Sequence, residues 1–489
     1  MERIYGFGHL AGSRTGALAV LVAGALASVA VGAGSVAAAK IASGTVLQTN
    51  LVSDLPGVAI VQDPNLINPW GISESGGSPF WVSDNNAGVS TLYSATTSVS
   101  VVGLVVSIPT PPDATGGGTP TGTVFNIAGT GSFPVSNAQT SAKSLFLFAT
   151  EDGTIAGWNP AVNPAGFDPA KAGTYAIIAV DNSGNNFTNP DPNQETGAVY
   201  KGLAIAASTT PIIAADANST ALLYASNFRS GTVDVFDSQF TKVTALPSGA
   251  FTDPDLRDGY APFNVQVLNG KVYVSFAMQN DTRHDDVAGK HHGFVDVFNL
   301  DGTAGLPNGQ VRLISHGVLD SPWGLAIAPA GFAGLSAGTD PVLLVGNFGD
   351  GFIHAYDAAT GDLVGQLTDP DGEPIQIDGL WALKVGNGGS GGHTNTVYFT
   401  AGLFGETHGL FGSLATVAPG SPEGPAEAEW VQANLDLVQL DQAQLASDIA
   451  SGAPEATIDQ DQRTLEADSD ALARVQRTLA DDSSDDAGG

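Results

Sequence analysis

Ser321-Pro322-Trp323-Gly324-Leu325-Ala326, followed by Val342 to Asn347, Gly351 to Tyr356 and Gly361 to Leu367, is the stretch that decides the architecture. Each piece alternates apolar and polar residues over a few positions and is bounded by Gly, Asn, Asp or Pro. That is the mark of a half-buried strand between turns. Four such pieces in succession read as one small antiparallel sheet. The phrase returns at Lys201-Gly202-Leu203-Ala204 with Leu222 to Asn227 and Gly231 to Phe236, and at Phe263-Asn264-Val265 with Val272 to Phe276 and Gly293 to Phe298. Further copies open at Asn68-Pro69-Trp70-Gly71 and Asp378-Gly379-Leu380, and a less regular one holds Ser144 to Thr150 and Gly153 to Trp158.

Aligning the glycine or its substitute gives Gly71, Ser144, Gly202, Asn264, Gly324 and Gly379, at intervals of about 55 to 73 residues. A sheet this small cannot cover both of its faces, and radial stacking lets each sheet cover the next. The expectation is therefore an all-β, six-bladed β-propeller over residues 46–417. The residues before the aligned positions, Trp70, Lys143, Lys201, Phe263, Trp323 and Asp378, then belong near one mouth of the central channel. Trp70, Lys201, Phe263, Trp323 and Asp378 are the candidates for a ligand platform there, and the competing reading is that the aromatic rings only plug the channel.

At several of these places the chain resembles an uncharacterised family of secreted bacterial proteins of NHL-like β-propeller type. The resemblance rests on Asn68-Pro69-Trp70-Gly71, Pro79-Phe80-Trp81-Val82-Ser83-Asp84-Asn85 and Ala149-Thr150-Glu151-Asp152-Gly153-Thr154-Ile155. It continues through Asp285-Asp286-Val287-Ala288-Gly289, Gly293-Phe294-Val295-Asp296-Val297-Phe298 and His408-Gly409-Leu410-Phe411-Gly412. It spans roughly 49–417 and implies a fold, with no established reaction.

Outside the body the composition changes. Arg3 and Arg14 precede an uncharged run rich in Ala, Val, Leu and Gly from Gly16 to Ala39, the order of a secretory signal peptide over 1–39. Cleavage would leave a secreted protein without a membrane segment; an uncleaved run would anchor it. A Pro/Gly linker at 418–425 leads to an acidic segment at 426–480. There Val431, Val438 and Leu445, and then Ile458, Leu465, Leu472 and Leu479, repeat every seven residues, which predicts an α-helical hairpin able to support self-association, followed by a disordered tail at 481–489. With 17 Lys and Arg against 49 Asp and Glu the net charge is −32, so no nucleic-acid partner is expected, because a polyanion would be repelled. Cysteine is absent, which removes disulfides and thiolate chemistry.

Three groups of residues suggest chemistry. Glu151, Asp152, Asn264 and Asp378 are the oxygen donors that a channel Ca²⁺ would use in a hydrolase resembling the six-bladed lactonases, where the ion polarises an ester carbonyl and activates water. A loop cluster of His284, Asp285 and Asp286, in which His291 and His292 look like local variation, together with Glu406 and His408, offers metal ligands or a general base. Each also fits a plain reading: Asp152-Gly153 suits a hairpin turn, and charged loops are usually solvated. A secreted scaffold binding a small molecule, glycan or protein is the leading functional expectation, and the calcium-dependent hydrolase is its alternative.

Overall fold

A computed structural model describes residues 42–417 apart from 97, 187, 189 and 190, together with scattered helical positions between 442 and 465. The signal, linker and tail readings, and most of the helical hairpin, lie outside the described residues. Among the described residues of the body nearly all regular structure is strand, the one α-helical turn being Leu403–Glu406.

The strands form short antiparallel sheets in chain order. Pro69–Ser73, Phe80–Asp84, Val89–Ala95 and Val99–Ser107 make one. Pro120–Phe125, Phe146–Thr150, Thr154–Trp158 and Ile177–Asp181 make the next, followed by the three strands Tyr200–Ala207, Ala221–Asn227 and Thr232–Asp237. Tyr260–Leu268, Lys271–Met278, Phe294–Phe298 and Arg312–Ser315 come after them. A larger sheet has two antiparallel halves, one running from Pro322–Ile327 through Val342–Asn347 and Ile353–Asp357 to Leu363–Thr368. The other half runs from Leu380–Val385 through Thr396–Ala401 and Leu410–Thr416 to Ala42–Ser53. Ala42–Ser53 therefore completes the last sheet from the opposite end of the body, and its first residues pair in parallel with Leu363–Thr368.

The strand that opens each group packs against the opening strands before and after it. Pro120–Phe125 lies between Pro69–Ser73 and Tyr200–Ala207, and Leu380–Val385 lies between Pro322–Ile327 and Pro69–Ser73, so the circuit returns to its start. This is the arrangement of a β-propeller.

Each opening strand is bulged at the same place, where the register skips Trp70, Thr121, Lys201, Phe263, Trp323 and Trp381. A bulge leaves a carbonyl outside the ladder. The adjacent sheet supplies donors: Ser226 Oγ to Phe263 O at 3.2 Å, Asn264 Nδ2 to Trp323 O at 2.7 Å and Thr400 Oγ1 to Trp70 O at 2.5 Å, while Thr121 Oγ1 donates at 2.7 Å to Tyr200 O, one residue before the bulge at Lys201. Except at Asn264, the residue after the bulge is Gly or Ala, because neighbouring backbones nearly touch there. A Cβ on Gly71 would sit 2.6 Å from Thr121 O, and one on Gly122 would collide with Leu203 N.

Two of the sequence-aligned positions need correction. The opening strand of the second sheet is Pro120–Phe125, so its inner residue is Thr121 and not Lys143, which lies in the separate hairpin of Pro134–Ser136 and Ser141–Lys143. In the last sheet the inner residue is Trp381; Asp378 and Gly379 precede the strand, with Gly379 at φ 59°.

Candidate functional site

The inner residues fill the axis with rings. Trp70 stacks on Trp381 with centroids 3.5 Å apart, and Trp323 meets both edge-on at 6.1 and 5.7 Å. Phe263 packs at 5.8 Å from Trp381, and Phe348 stacks on its other side at 4.0 Å. Trp70, Trp323 and Trp381 are 2%, 2% and 1% exposed, and Phe263 is fully buried. The platform reading of Trp70, Phe263 and Trp323 is therefore corrected: the rings cover one another and plug the channel, leaving no face for a ligand. The indole N–H groups of Trp323 and Trp381 are spent on Lys201 O at 3.1 Å and Asn68 Oδ1 at 3.1 Å.

Lys201 is the inner residue that differs in chemistry. It is 2% exposed, and its ammonium lies 5.0 Å from the Trp70 ring centroid and 5.9 Å from that of Phe228. Cation–π attraction of this kind contributes about 0.5–2 kcal/mol, too little to offset burial of an unpaired ammonium. Carboxylates supply the rest: Lys201 Nζ donates to Glu151 Oε1 and, at 3.3 Å, to Asp285 Oδ1. Burial works against the charge, but Glu151 and then Asp285 hold the ammonium above its ordinary value.

The partners share one architectural origin. In each antiparallel sheet the turn after the second strand returns to the end where the opening strand begins, so these turns gather around the bulged residues. Asn85 follows Phe80–Asp84, Glu151 follows Phe146–Thr150, Phe228 follows Ala221–Asn227 and Phe348 follows Val342–Asn347. Asp285 and Asp286 follow Lys271–Met278, and Glu406 follows Thr396–Ala401. Asn85 Nδ2 donates to Glu151 Oε2 at 2.8 Å, His284 Nδ1 bonds Asp285 Oδ1 at 2.7 Å, and Asn68 Nδ2 donates to Glu406 Oε2 at 3.3 Å. Glu406 sits at φ 70° in a left-handed backbone conformation, and its carbonyl accepts from Asn86 Nδ2 at 2.6 Å.

Protonation states are driven apart within this mouth. Burial, reinforced by Glu151, pushes the Glu406 carboxyl up to about 8, and burial pushes Asp286 up to about 6. Asp285 is also partly desolvated, but the His284 bond and the Lys201 charge hold it well below the usual carboxylate range. The site therefore keeps a protonated carboxyl among ionised ones near neutral pH.

The four oxygen donors named from the sequence as metal ligands do not converge. Asn264, 1% exposed, donates to Trp323 O and accepts from Val265 N at 2.8 Å; Asp152 Oδ2 accepts from Thr119 N at 3.0 Å; Asp378 Oδ2 accepts from Phe404 N at 3.1 Å. Asp378 thus steadies the Leu403–Glu406 turn. Instead Glu151, His284 and Asp285 bring ligand atoms within 4.8 Å of one another, yet both carboxylates already face the Lys201 ammonium, which would oppose a divalent cation. His284, Asp285, Asp286 and Glu406 do share the mouth with Lys201, whereas His408 turns aside to Asp54, its Nδ1 2.7 Å from Oδ2. Asn68, Asn85, Phe228, Phe348 and Trp381 escaped the sequence reading; the signal that finds them is their place at the start of an opening strand or just beyond a second strand.

No family model matches the chain. It is 30% identical over 373 residues to the uncharacterized protein R648 of Acanthamoeba polyphaga mimivirus, covering 74% of this chain and 78% of that protein. It is 32% identical over 375 residues to the uncharacterized protein L690 of the same virus, covering 74% and 84%. Among solved structures, streptogramin B lyase aligns at 11% identity and a TM-score of 0.35 over 76% of this chain and 97% of that one. Penicillium chrysogenum alpha-L-arabinanase aligns at 12% identity and 0.43 over 76% and 98%. At those values no activity is carried across. The matched relatives are viral where the sequence resemblance implied bacterial ones. The chain belongs to the family of these uncharacterized mimivirus proteins R648 and L690.

Proposed function

We propose that the sheets are the blades of a closed six-bladed propeller and that its mouth is a binding site for a small polyhydroxylated or amino-bearing ligand of glycan type. The plug shuts the channel, so a ligand would be held by the rim alone. That rim supplies acceptors from Glu151, Asp285, Asp286 and Glu406, which the buried Asn68, Asn85 and Lys201 hold in place from beneath. The observation that carries the reading is Lys201, a cation 2% exposed and wired to Glu151 at the rim. A fold that needed only packing there would place an apolar residue at lower desolvation cost. The expected secreted, signal-cleaved state fits a glycan-type partner and is part of the proposal.

Calorimetric titration of the purified protein against neutral sugars, amino sugars and polyamines tests it. Binding of one class, weakened about tenfold or more by Glu151→Gln, is expected. Absence of binding to every class at millimolar concentration would overturn it.

A second reading is favoured by the split protonation states. A protonated Glu406 among ionised carboxylates has the character of a general acid for hydrolysing an ester, lactone or glycosidic bond. This retains the hydrolase alternative without the four proposed calcium ligands. Activity would be full below the Glu406 value and fall as pH rises through about 8. Glu406→Gln would abolish it; hydrolysis that survives in that variant removes Glu406 from the chemistry.

A further inference from the structure

A second group of titratable side chains lies at the same end of the fourth sheet and takes no part in the mouth. Arg257, Tyr260, Lys290, His291, His292 and His316 line an open cavity of about 480 Å³, a size within the range of small-molecule sites. In a chain holding 17 Lys and Arg and 8 His against 49 carboxylates, this reverses the prevailing sign.

The three imidazoles are oriented alike. His291 Nδ1 bonds Gly317 O, His292 Nδ1 bonds Val287 O at 2.9 Å, and His316 Nδ1 bonds His291 O at 2.7 Å. A carbonyl only accepts, so each Nδ1 carries the proton, and Nε2 is the nitrogen not committed to these bonds. Neutral imidazole presents a lone pair there, and imidazolium presents an N–H donor. Neighbouring rings brace them, with Tyr260 perpendicular to His292 at 6.4 Å and Phe294 4.3 Å from His316.

Three imidazoles suggest a metal at first sight. However, their nitrogens do not belong to a convergent ligand group among the described residues, and Arg257 and Lys290 line the same space. Two fixed cations repel a metal ion and attract an anion. We propose that this cavity binds an oxyanion of the phosphate or sulfate class, held by Arg257 and Lys290 among the imidazoles of His291, His292 and His316. Opposing charge comes from Asp258 in the cavity lining and from Asp320, which faces His292 and accepts from Gly289 N at 2.7 Å. Arg312 lies beyond the cavity, over the Phe294 ring at 4.1 Å.

Calorimetry with sulfate should show saturable binding below about 10 mM. Arg257→Gln should weaken it about fivefold or more. His291→Asn with His316→Asn should weaken it as well, Asn being chosen because both positions have left-handed backbone, at φ 72° and 53°. Circular dichroism confirms the fold of each variant. Glucose 6-sulfate measured beside inorganic sulfate distinguishes an esterified small molecule, which would bind more tightly, from the free ion, which would bind equally. No sulfate binding at 10 mM, affinity indifferent to all three substitutions, or zinc binding that Arg257→Gln strengthens would each overturn the assignment. Because no mouth residue is altered, failure here leaves the reading of the mouth standing.

Discussion

Lys201 sets the character of the mouth because it is the one inner side chain of the ring that must be electrically compensated. Its ammonium cannot be hydrated above the indole of Trp70, so Glu151 and Asp285 act as its solvation. Removing the cation leaves those two carboxylates facing each other. Lys201→Met is therefore expected to cost about 2–3 kcal/mol in denaturant unfolding at pH 8, below the range for a fully buried pair because Asp285 is 57% exposed. Lys201→Met with Glu151→Gln should recover more than half of that loss. A single variant as stable as the parent would mean that the ion pair carries no structural weight.

At the scale of elements, the repeated bulge explains both what was legible in the sequence and what was not. Trp70, Lys201 and Trp323 are legible because each precedes a glycine at the head of an obvious strand, and Phe263 because Asn264 stands at the aligned place of such a strand. Thr121 was hidden because its strand emerges from the Gly/Thr/Pro-rich run at 115–123, which reads as loop, and because a hairpin separates it from Phe146–Thr150. Trp381 was missed because Asp378-Gly379 three residues earlier imitates the phrase while forming the turn before the strand. The mouth's carboxylates are visible as residues but not as a set, since they converge from three turns spread between Glu151 and Glu406. Asn264 shows the same limit: its type suggested a metal ligand, whereas its amide ties two sheets together. Asn264→Ala should lower stability by about 1–3 kcal/mol through the unpaired Trp323 carbonyl. Adding Ca²⁺ should leave the melting temperatures of parent and variant unchanged; a calcium-dependent rise confined to the parent would restore the metal role.

At the scale of the molecule, closure decides whether the mouth exists. The mouth exists only if the opening strands surround an axis, and that requires the first strand of the body to complete the last sheet. Ala42–Ser53 does so against Leu410–Thr416, with Thr49 opposite Ser413. The chain contains no cysteine, so one engineered pair reports on that contact without competing thiols. The most direct measurement is oxidation of Thr49→Cys/Ser413→Cys, followed by thermal unfolding. Opposed strand residues lie within disulfide range, and the loop closed is nearly the whole body, so rapid, near-complete cross-linking within one chain and a raised melting temperature are expected. Thiols that stay reduced under mild oxidation, or pair only between chains, would contradict closure and with it the proposed mouth.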